Sequence, residues 1–413
     1  NQNIVNRAMG GISAGYTNPN FTDQKYVTPA FLFQSINLVN PASLGGLNNT
    51  IFDVGGEVDI RTLRSTSSPA KYRATNTLIS YLQLGFPIAS AKMRKEGNSW
   101  GVSVGLRPVS RINYKIEKLE RRVGIDSMST IYEGSGGISQ INIGTGVKIK
   151  NFSFGINTGY SFGTKDYSTK ISLLNDTVLY YKSNSEAESR FGGLFLDAGL
   201  QYIIKMKNGV LNLGTYAKFQ QNLKAKKNNI DETFAYDGTG GTITIDTVSY
   251  NNDLSGTVKV PATYGIGFTY TSNHWLWGID FETSNWKTYR YYDQQDAVHN
   301  NWTIRAGVQY YPAKENTSSS KYWNFVKYRA GFYYGPDYVK LNQTRSAYAA
   351  TAGASFPLND LTRLGRGEYI VLNTGFEFGA RGNKNTVSVR ESFTRINIGI
   401  SMNARWFIKR SYD

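Results

Sequence analysis

Residues 138–162 read ISQINIGTGVKIKNFSFGINTGYSF, and this stretch decides the fold. Polar residues and glycines separate its bulky apolar side chains, so that the second half carries one apolar row: Phe152, Phe154, Ile156, Tyr160 and Phe162. Only Lys150 and Asn151 stand between the two alternating halves, a gap of hairpin size. A period of two predicts two strands, each with one apolar and one polar face.

Similar segments recur from residue 50 to the end of the chain, bounded by clusters of Gly, Asn, Asp, Ser or Lys. We predict fourteen strands, at about 50–62, 76–88, 100–116, 138–149, 152–162, 191–204, 210–223, 258–270, 275–286, 302–311, 325–334, 348–358, 369–380 and 393–408. An even number is what a bacterial outer-membrane barrel requires. The predicted fold class is therefore all-β, a transmembrane antiparallel β-barrel of a Gram-negative outer membrane.

The composition agrees with strands. The chain has 413 residues, with 29 Tyr, 21 Phe, 7 Trp and 42 Gly against 10 Pro. Mean hydropathy is −0.40, as for a water-soluble protein, because only alternate residues of a barrel strand face lipid. The richest apolar stretch, 78–91, is interrupted by polar residues, Gly and Pro before it reaches the roughly 20 residues that a membrane helix needs. A soluble barrel or sandwich is the alternative, and it does not account for so many outward aromatic rows.

Predicted connections alternate between short and long. Lys150-Asn151, 205–209 and 271–274 are short, whereas 163–190 and 224–257 are long. Short periplasmic turns and long extracellular loops explain this, and they place both termini in the periplasm. The chain begins at Asn1 without a leader, as expected if a signal peptide has been removed.

Residues 1–49 do not alternate and are rich in Gly and Pro. Irregular backbone is tolerated at membrane depth only inside protein or a watery lumen. We therefore expect residues 1–49 to form an N-terminal periplasmic-side plug, or hatch, inside a barrel formed by residues 50–413.

The chain is basic, with 46 Lys and Arg against 30 Asp and Glu and a formal charge of +16. The basic residues are scattered and often lie beside acids, unlike a nucleic-acid footprint, so no nucleic-acid partner is predicted. We expect these basic residues to attract the anionic headgroups of membrane lipid or lipopolysaccharide.

The sequence does not support a catalytic, metal or cofactor site. The two histidines, His274 and His299, lie in a predicted turn and a predicted loop, away from any serine on the wall. Cysteine is absent, which excludes thiolate metal sites. We predict a protein that is not an enzyme and has no cofactor. Charged residues expected to face the lumen, and to form paired networks against the plug, are Glu57, Asp59, Arg107, Asp197, Asp280, Glu282, Arg305, Arg329, Glu377 and Arg405.

Several motifs resemble the FadL family of outer-membrane transporters. They are RAMGG at 7–11, NPASL at 40–44, LISYLQLGFPI at 78–88, WGVSVGLRP at 100–108 and PATYGIGFTY at 261–270. In that family the plug carries an Asn-Pro-Ala motif, which Asn40, Pro41 and Ala42 match. The resemblance covers nearly the whole chain.

The resemblance implies passive uptake of hydrophobic or amphiphilic, fatty-acid-like molecules, which leave sideways through a gap at a kinked third strand. Pro108 is a candidate for the kink because it cannot donate a ladder hydrogen bond. The alternative is that Pro108 marks the outer end of the strand or a bulge. Arg107 and Arg111 are candidates to bind a ligand carboxylate or the plug. A second hypothesis is a non-transporting barrel that acts as a subunit or scaffold of an outer-membrane secretion or assembly complex, with protein partners.

Overall fold

The computed structural model describes residues 3–17, 34–65, 71–121, 127–174, 180–239, 241–312, 321–341, 343–358, 369–382 and 389–404. Its strands are β1 (Thr50–Ser65), β2 (Lys71–Pro87), β3 (Ser99–Arg121), β4 (Ser127–Ile149), β5 (Phe152–Leu173), β6 (Lys182–Met206), β7 (Gly209–Lys218), β8 (Gln221–Tyr236), β9 (Thr242–Val260), β10 (Thr263–Thr271), β11 (Trp275–Ser284), β12 (Arg290–Tyr291), β13 (Asn301–Tyr310), β14 (Lys327–Leu341), β15 (Gln343–Pro357), β16 (Tyr369–Arg381) and β17 (Val389–Ala404).

These strands occupy fourteen positions around a closed antiparallel barrel. β6 pairs first with β7 and then with β8, so these two segments share one position, interrupted between Lys218 and Gln221. β9 and β10 share the next position, because they pair with β8 and β7 respectively and meet at Pro261. The two-residue β12 pairs with β9 near the outer mouth. β17 pairs with β1 along its length and closes the barrel, which confirms the predicted count.

The outward face of the barrel is apolar and the inward face is polar. In β5 the predicted row from Phe152 to Phe162 is exposed, and the intervening Ser153, Asn157 and Ser161 are buried. The tight turn at Lys150-Asn151 is also present, with Lys150 at φ 53°. An outward apolar band of this kind is the surface that an outer-membrane barrel presents to lipid.

The predicted long outer loops are wrong in extent, because most of 163–190 and 224–257 is strand. β5 and β6 remain paired as far as Ile171 and Ser183, and β8 and β9 form a hairpin that reaches Tyr236 and Thr242. Beyond the membrane both faces of such strands meet water, so the sequence need not alternate there. The alternation of apolar and polar residues therefore stops at the edge of the membrane, whereas the backbone hydrogen bonds between the strands continue beyond it.

The expectation of wholly irregular backbone before β1 is also wrong in detail. It contains a four-residue helix α1 (Ile4–Arg7) and a 3-10 helix over Pro41–Gly46. A third short helix, α2 (Ala91–Lys95), lies in the turn between β2 and β3. No helix among the described residues is long and apolar enough to cross a membrane. The division into a plug and a barrel domain at residue 49 stays a prediction, although β1 begins at Thr50 as expected.

Candidate functional site

Residues 3–17 and 34–49, here called the luminal segment, are almost entirely buried against the inner face of the wall. Asn40 is fully buried at the start of the 3-10 helix, where its side-chain oxygen accepts a hydrogen bond from the Ala42 amide at 3.1 Å. Its side-chain nitrogen donates to the carbonyl oxygens of Ala14 at 2.7 Å and Thr215 at 3.2 Å. One amide therefore joins both halves of the luminal segment to β7. Pro41 begins the 3-10 helix, where its missing N–H costs no hydrogen bond.

The luminal segment approaches the wall closely at glycines. A side chain at Gly214 would meet the carbonyl of Ala14, and one at Gly155 would meet the backbone of Pro41 and Ala42. Other anchors are polar. The carboxylate of Asp280 on β11 accepts a hydrogen bond from the Ala14 amide at 2.8 Å. The glycines and polar side chains of the wall are thus placed to contact the backbone of the luminal segment at specific positions.

Arg7, at the end of α1, is the centre of a partly buried ionic cluster. Its guanidinium pairs with Glu57 on β1 and lies 3.1 Å from a carboxylate oxygen of Glu377 on β16. Arg395 on β17 bonds the other oxygen of Glu377 at 2.7 Å, and it lies 3.4 Å from Asp59. The cluster joins the luminal segment to the three strands around the closing β1–β17 pair. The predicted pairing of inward charges against the N-terminal segment is therefore present for Glu57 and Glu377.

A cavity of about 400 Å³ lies between the luminal segment and the outer mouth; we call it the chamber. Arg7, Gly10, Gly11 and Val39 line it on one side, and Trp286, which follows β11, lines it on the other. Its charged lining residues are Arg7, Lys218, Glu282, Arg305, Asp337, Glu377, Arg381 and Arg395. Several are already paired, as for Arg305 with Glu282 at 2.7 Å. The chamber is polar, with both signs of charge.

Arg107 on β3 lies between the wall and the luminal segment, and its side chain is buried, with 4% exposure. Its guanidinium donates to the carbonyl oxygen of Leu38 and to the side-chain oxygen of Gln140 at 3.1 Å, and it lies 3.4 Å from a carboxylate oxygen of Asp197. Arg107 and Pro41 line the same small void of about 10 Å³. The structure therefore brings Arg107 to the Asn40-Pro41-Ala42 turn, where the guanidinium contacts the luminal segment.

The seam between β2 and β3 is paired over a short length only. Six residue pairs join them, from Pro87 with Gly101 to Leu82 with Leu106. By contrast, β3 pairs with β4 from Ser99 to Arg121. A barrel strand crosses a membrane in about 9–11 residues, so the backbone ladder of this seam ends inside the apolar band.

Pro108 and Arg111 lie on β3 beyond the point where this ladder ends. Pro108 is inside the strand and not at its outer end, and the β3–β4 register shifts between Pro108 and Ser110, as in a bulge. The Arg111 guanidinium donates to the carbonyl oxygen of Thr77 on β2 at 2.9 Å. Asn113 likewise bonds Asn76 across the seam. Arg111 is therefore separate from the Asn40–Arg107 group, and the substrate or gating roles of all six candidates stay predictions.

Sequence reasoning missed Arg7 as a central residue and missed the short ladder between β2 and β3. Arg7 stands in a segment without periodicity, so nothing in the sequence indicates its partners. Of the predicted inward charges, Arg405 lies outside the described residues. Among the described residues no group of three or more His, Cys, Asp or Glu side chains is arranged to hold a metal ion.

Comparison with known proteins gives one family and one fold. A family model described as BamG matches residues 2–413. A Pseudomonas aeruginosa FadL homologue superposes with a TM-score of 0.59 at 12% identity, covering 98% of this chain and 99% of that chain. The CymD monoaromatic hydrocarbon channel gives 0.56 at 13% identity and 98% of both chains. The Pseudomonas putida toluene transporter TodX gives 0.55 at 15% identity and 97% of both chains. A sequence search among curated proteins finds no match. These superpositions establish a shared FadL-like barrel fold.

Proposed function

Since the chain belongs to the BamG family and its barrel has the FadL-like fold, we propose that it is an outer-membrane channel for passive entry of hydrophobic or amphiphilic small molecules. The solved structures with this fold include channels and a transporter for aromatic hydrocarbons. The ligand passes the mouth, enters the chamber, and leaves sideways into the membrane between β2 and β3.

The observation that carries this proposal is the short ladder between β2 and β3. Its six pairs cover about 16 Å along the strands, whereas a crossing needs roughly 30 Å of strand. Exposed apolar residues flank the open part, with Ile79 at 70% exposure on β2 and Val109 at 41% on β3. An apolar molecule leaving here would meet lipid and not water.

The route is closed in this structure. Residues 36–39 of the luminal segment lie behind the seam, and Arg107 binds the carbonyl of Leu38 there. Passage therefore requires displacement of this part of the luminal segment by the ligand. The charges of the chamber favour amphiphiles, whose polar heads those charges can solvate, over purely apolar molecules.

A reversible lock across the seam tests lateral exit. Cysteines are placed at positions 76 and 113, whose native asparagines are hydrogen-bonded to each other, and oxidation is used to form a disulfide across the seam in a chain that has no other cysteine. Uptake of a fluorescent fatty acid into cells that express this variant should fall on oxidation and return on reduction.

The matched control joins strands that are already paired. Lys118→Cys with Thr130→Cys links β3 to β4 at a register pair, and its oxidation should leave uptake unchanged. Full uptake through the locked seam, with disulfide formation verified by mass spectrometry, would rule out this exit.

A second candidate function is a non-transporting subunit or scaffold of an outer-membrane assembly complex. Two observations favour it. The BamG match covers residues 2–413, and the chamber beside the luminal segment is lined by charged residues, where an uptake pocket would be apolar. Purification in mild detergent separates the two functions. Stoichiometric partner chains without a luminal lipid support the scaffold, and a bound amphiphile without partners supports the channel.

A further inference from the structure

We propose that the outer wall of the barrel carries a specific site for a phosphorylated glycolipid of the outer leaflet, the lipid A part of lipopolysaccharide. The site is a concavity of about 740 Å³ on β5, β6, β8 and β9, here called the wall groove. It is independent of the lumen and of the proposed transport, because the residues that bind the lipid face outward.

The side chains of the wall groove combine aromatic and cationic groups. Tyr160 and Phe162 on β5 are outward-facing and exposed. Arg190 on β6 and Lys224 and Lys226 on β8 line the same groove. Register places them side by side, since Lys226 is paired with Arg190, and Lys224 with Gly192.

Gly192 provides the space between the aromatic and the cationic groups. Its two register partners are Phe162 on one side and Lys224 on the other. A side chain at this position would meet the Tyr160 hydroxyl, so a glycine leaves a depression between aromatic ring and ammonium group. An acyl chain fits against the rings, and a phosphate fits against the cations above them.

The cations lie at the height of the outer headgroups. On β6 the outward residues from Tyr202 to Leu194 are apolar, and Arg190 is the first cation beyond them. The ten residue steps from Tyr202 to Gly192 span about 33 Å along the strand, which is about 25 Å along the membrane normal at a tilt of roughly 40°. This equals the height of the apolar band, so the groove is continuous with the lipid-facing surface at its outer edge.

Charge complementarity selects an anionic lipid. Arg190 is paired with Glu188 at 2.7 Å and Lys226 with Asp253 at 3.2 Å, and these exposed pairs are weak enough for a phosphate to compete. Among the described residues no acidic group pairs with Lys224, which leaves the groove with one cation in excess. The two phosphates of lipid A match cations spread over neighbouring strands better than a single-phosphate headgroup does.

The test is native mass spectrometry of the full-length protein, released from detergent, after incubation with bisphosphorylated lipid A, with dephosphorylated lipid A or with phosphatidylglycerol. We expect one bisphosphorylated lipid A per barrel. The triple variant Arg190→Ser, Lys224→Ser, Lys226→Ser should weaken its binding at least about tenfold, because three cations near an anionic headgroup are lost. Replacing the two lysines by arginine should retain binding.

The matched control removes cations at the opposite end of the barrel, with Lys92→Ser and Lys95→Ser in α2, and should bind as the unmodified protein does. Equal binding by the triple variant would overturn the proposal. Equal binding of dephosphorylated lipid A would remove the role of the phosphates, and equal binding of phosphatidylglycerol would overturn the choice of a glycolipid. Heat-modifiable gel mobility verifies that each variant is folded.

Discussion

At the scale of single residues, Arg7 is the charged anchor that joins the luminal segment to the wall. Its guanidinium contacts carboxylates on β1 and β16, and the side chains of Glu57 and Glu377 are 10% and 5% exposed. Removing one partner of a buried ion pair typically costs about 3–5 kcal/mol, since the other charge remains buried. Arg395 stays beside both carboxylates and offsets part of this cost.

Arg7→Ala should therefore loosen the luminal segment without unfolding the barrel. We expect amide hydrogen exchange in residues 3–17 to become at least about thirtyfold faster, which corresponds to about 2 kcal/mol of local stability. Exchange in β4 should be unchanged. Arg7→Lys keeps one charge and should give an intermediate rate. Unaltered exchange in Arg7→Ala would mean that the glycine contacts and Asn40 alone hold the segment.

Inward-facing charges could be predicted from the alternation, as Glu57 and Asp280 illustrate, but their partners could not. The partner of Arg107 is a backbone carbonyl at Leu38, far away in sequence and in a segment without periodicity. Backbone acceptors are the same for every residue type, so no sequence pattern marks one of them. The position of Asn40 was predictable as a turn, whereas its bonds to β7 depend on the barrel closing around it.

At the scale of elements, the seam between β2 and β3 is held beyond its backbone ladder by side chains. Arg111 bonds the carbonyl of Thr77, and Asn113 bonds Asn76. Exposed hydrogen bonds of this kind contribute about 0.5–1.5 kcal/mol each. If lateral exit occurs here, they oppose it.

Arg111→Ala combined with Asn113→Ala should raise the initial rate of fatty-acid uptake about threefold or more, because the open seam becomes more populated. Lys118→Ala is the control on the same strand, farther out, where β3 is paired with β4. An unchanged or lower uptake rate, at equal amounts of folded protein in the membrane, would show that these side chains do not restrain passage.

The same strands mark the limit of prediction from sequence. The sequence predicts the start of β3 to within one residue because lipid imposes alternation on Trp100, Val102 and Val104. It does not predict the outer end at Arg121, because no lipid is present there to select apolar residues. The backbone pairing between β2 and β3 stops after six residue pairs. This depends on how the two strands lie relative to each other, and the sequence of neither strand indicates it.

At the scale of the whole molecule, a fourteen-position wall encloses more space than its own side chains fill. The luminal segment occupies that space, with contacts to β1, β3, β5, β7, β11 and β13–β17. We propose that this segment closes the pore. If so, the wall without it is an open aqueous channel.

Ion conductance in planar bilayers tests this claim most directly. The intact protein should be nearly silent, and the protein lacking residues 1–47 should conduct steadily, because water then fills the lumen. Heat-modifiable gel mobility must show that the shortened barrel is folded. Steady conductance from the shortened barrel and silence from the intact one is the result we predict. Equal conductance from two folded barrels would contradict the claim that the luminal segment is a plug.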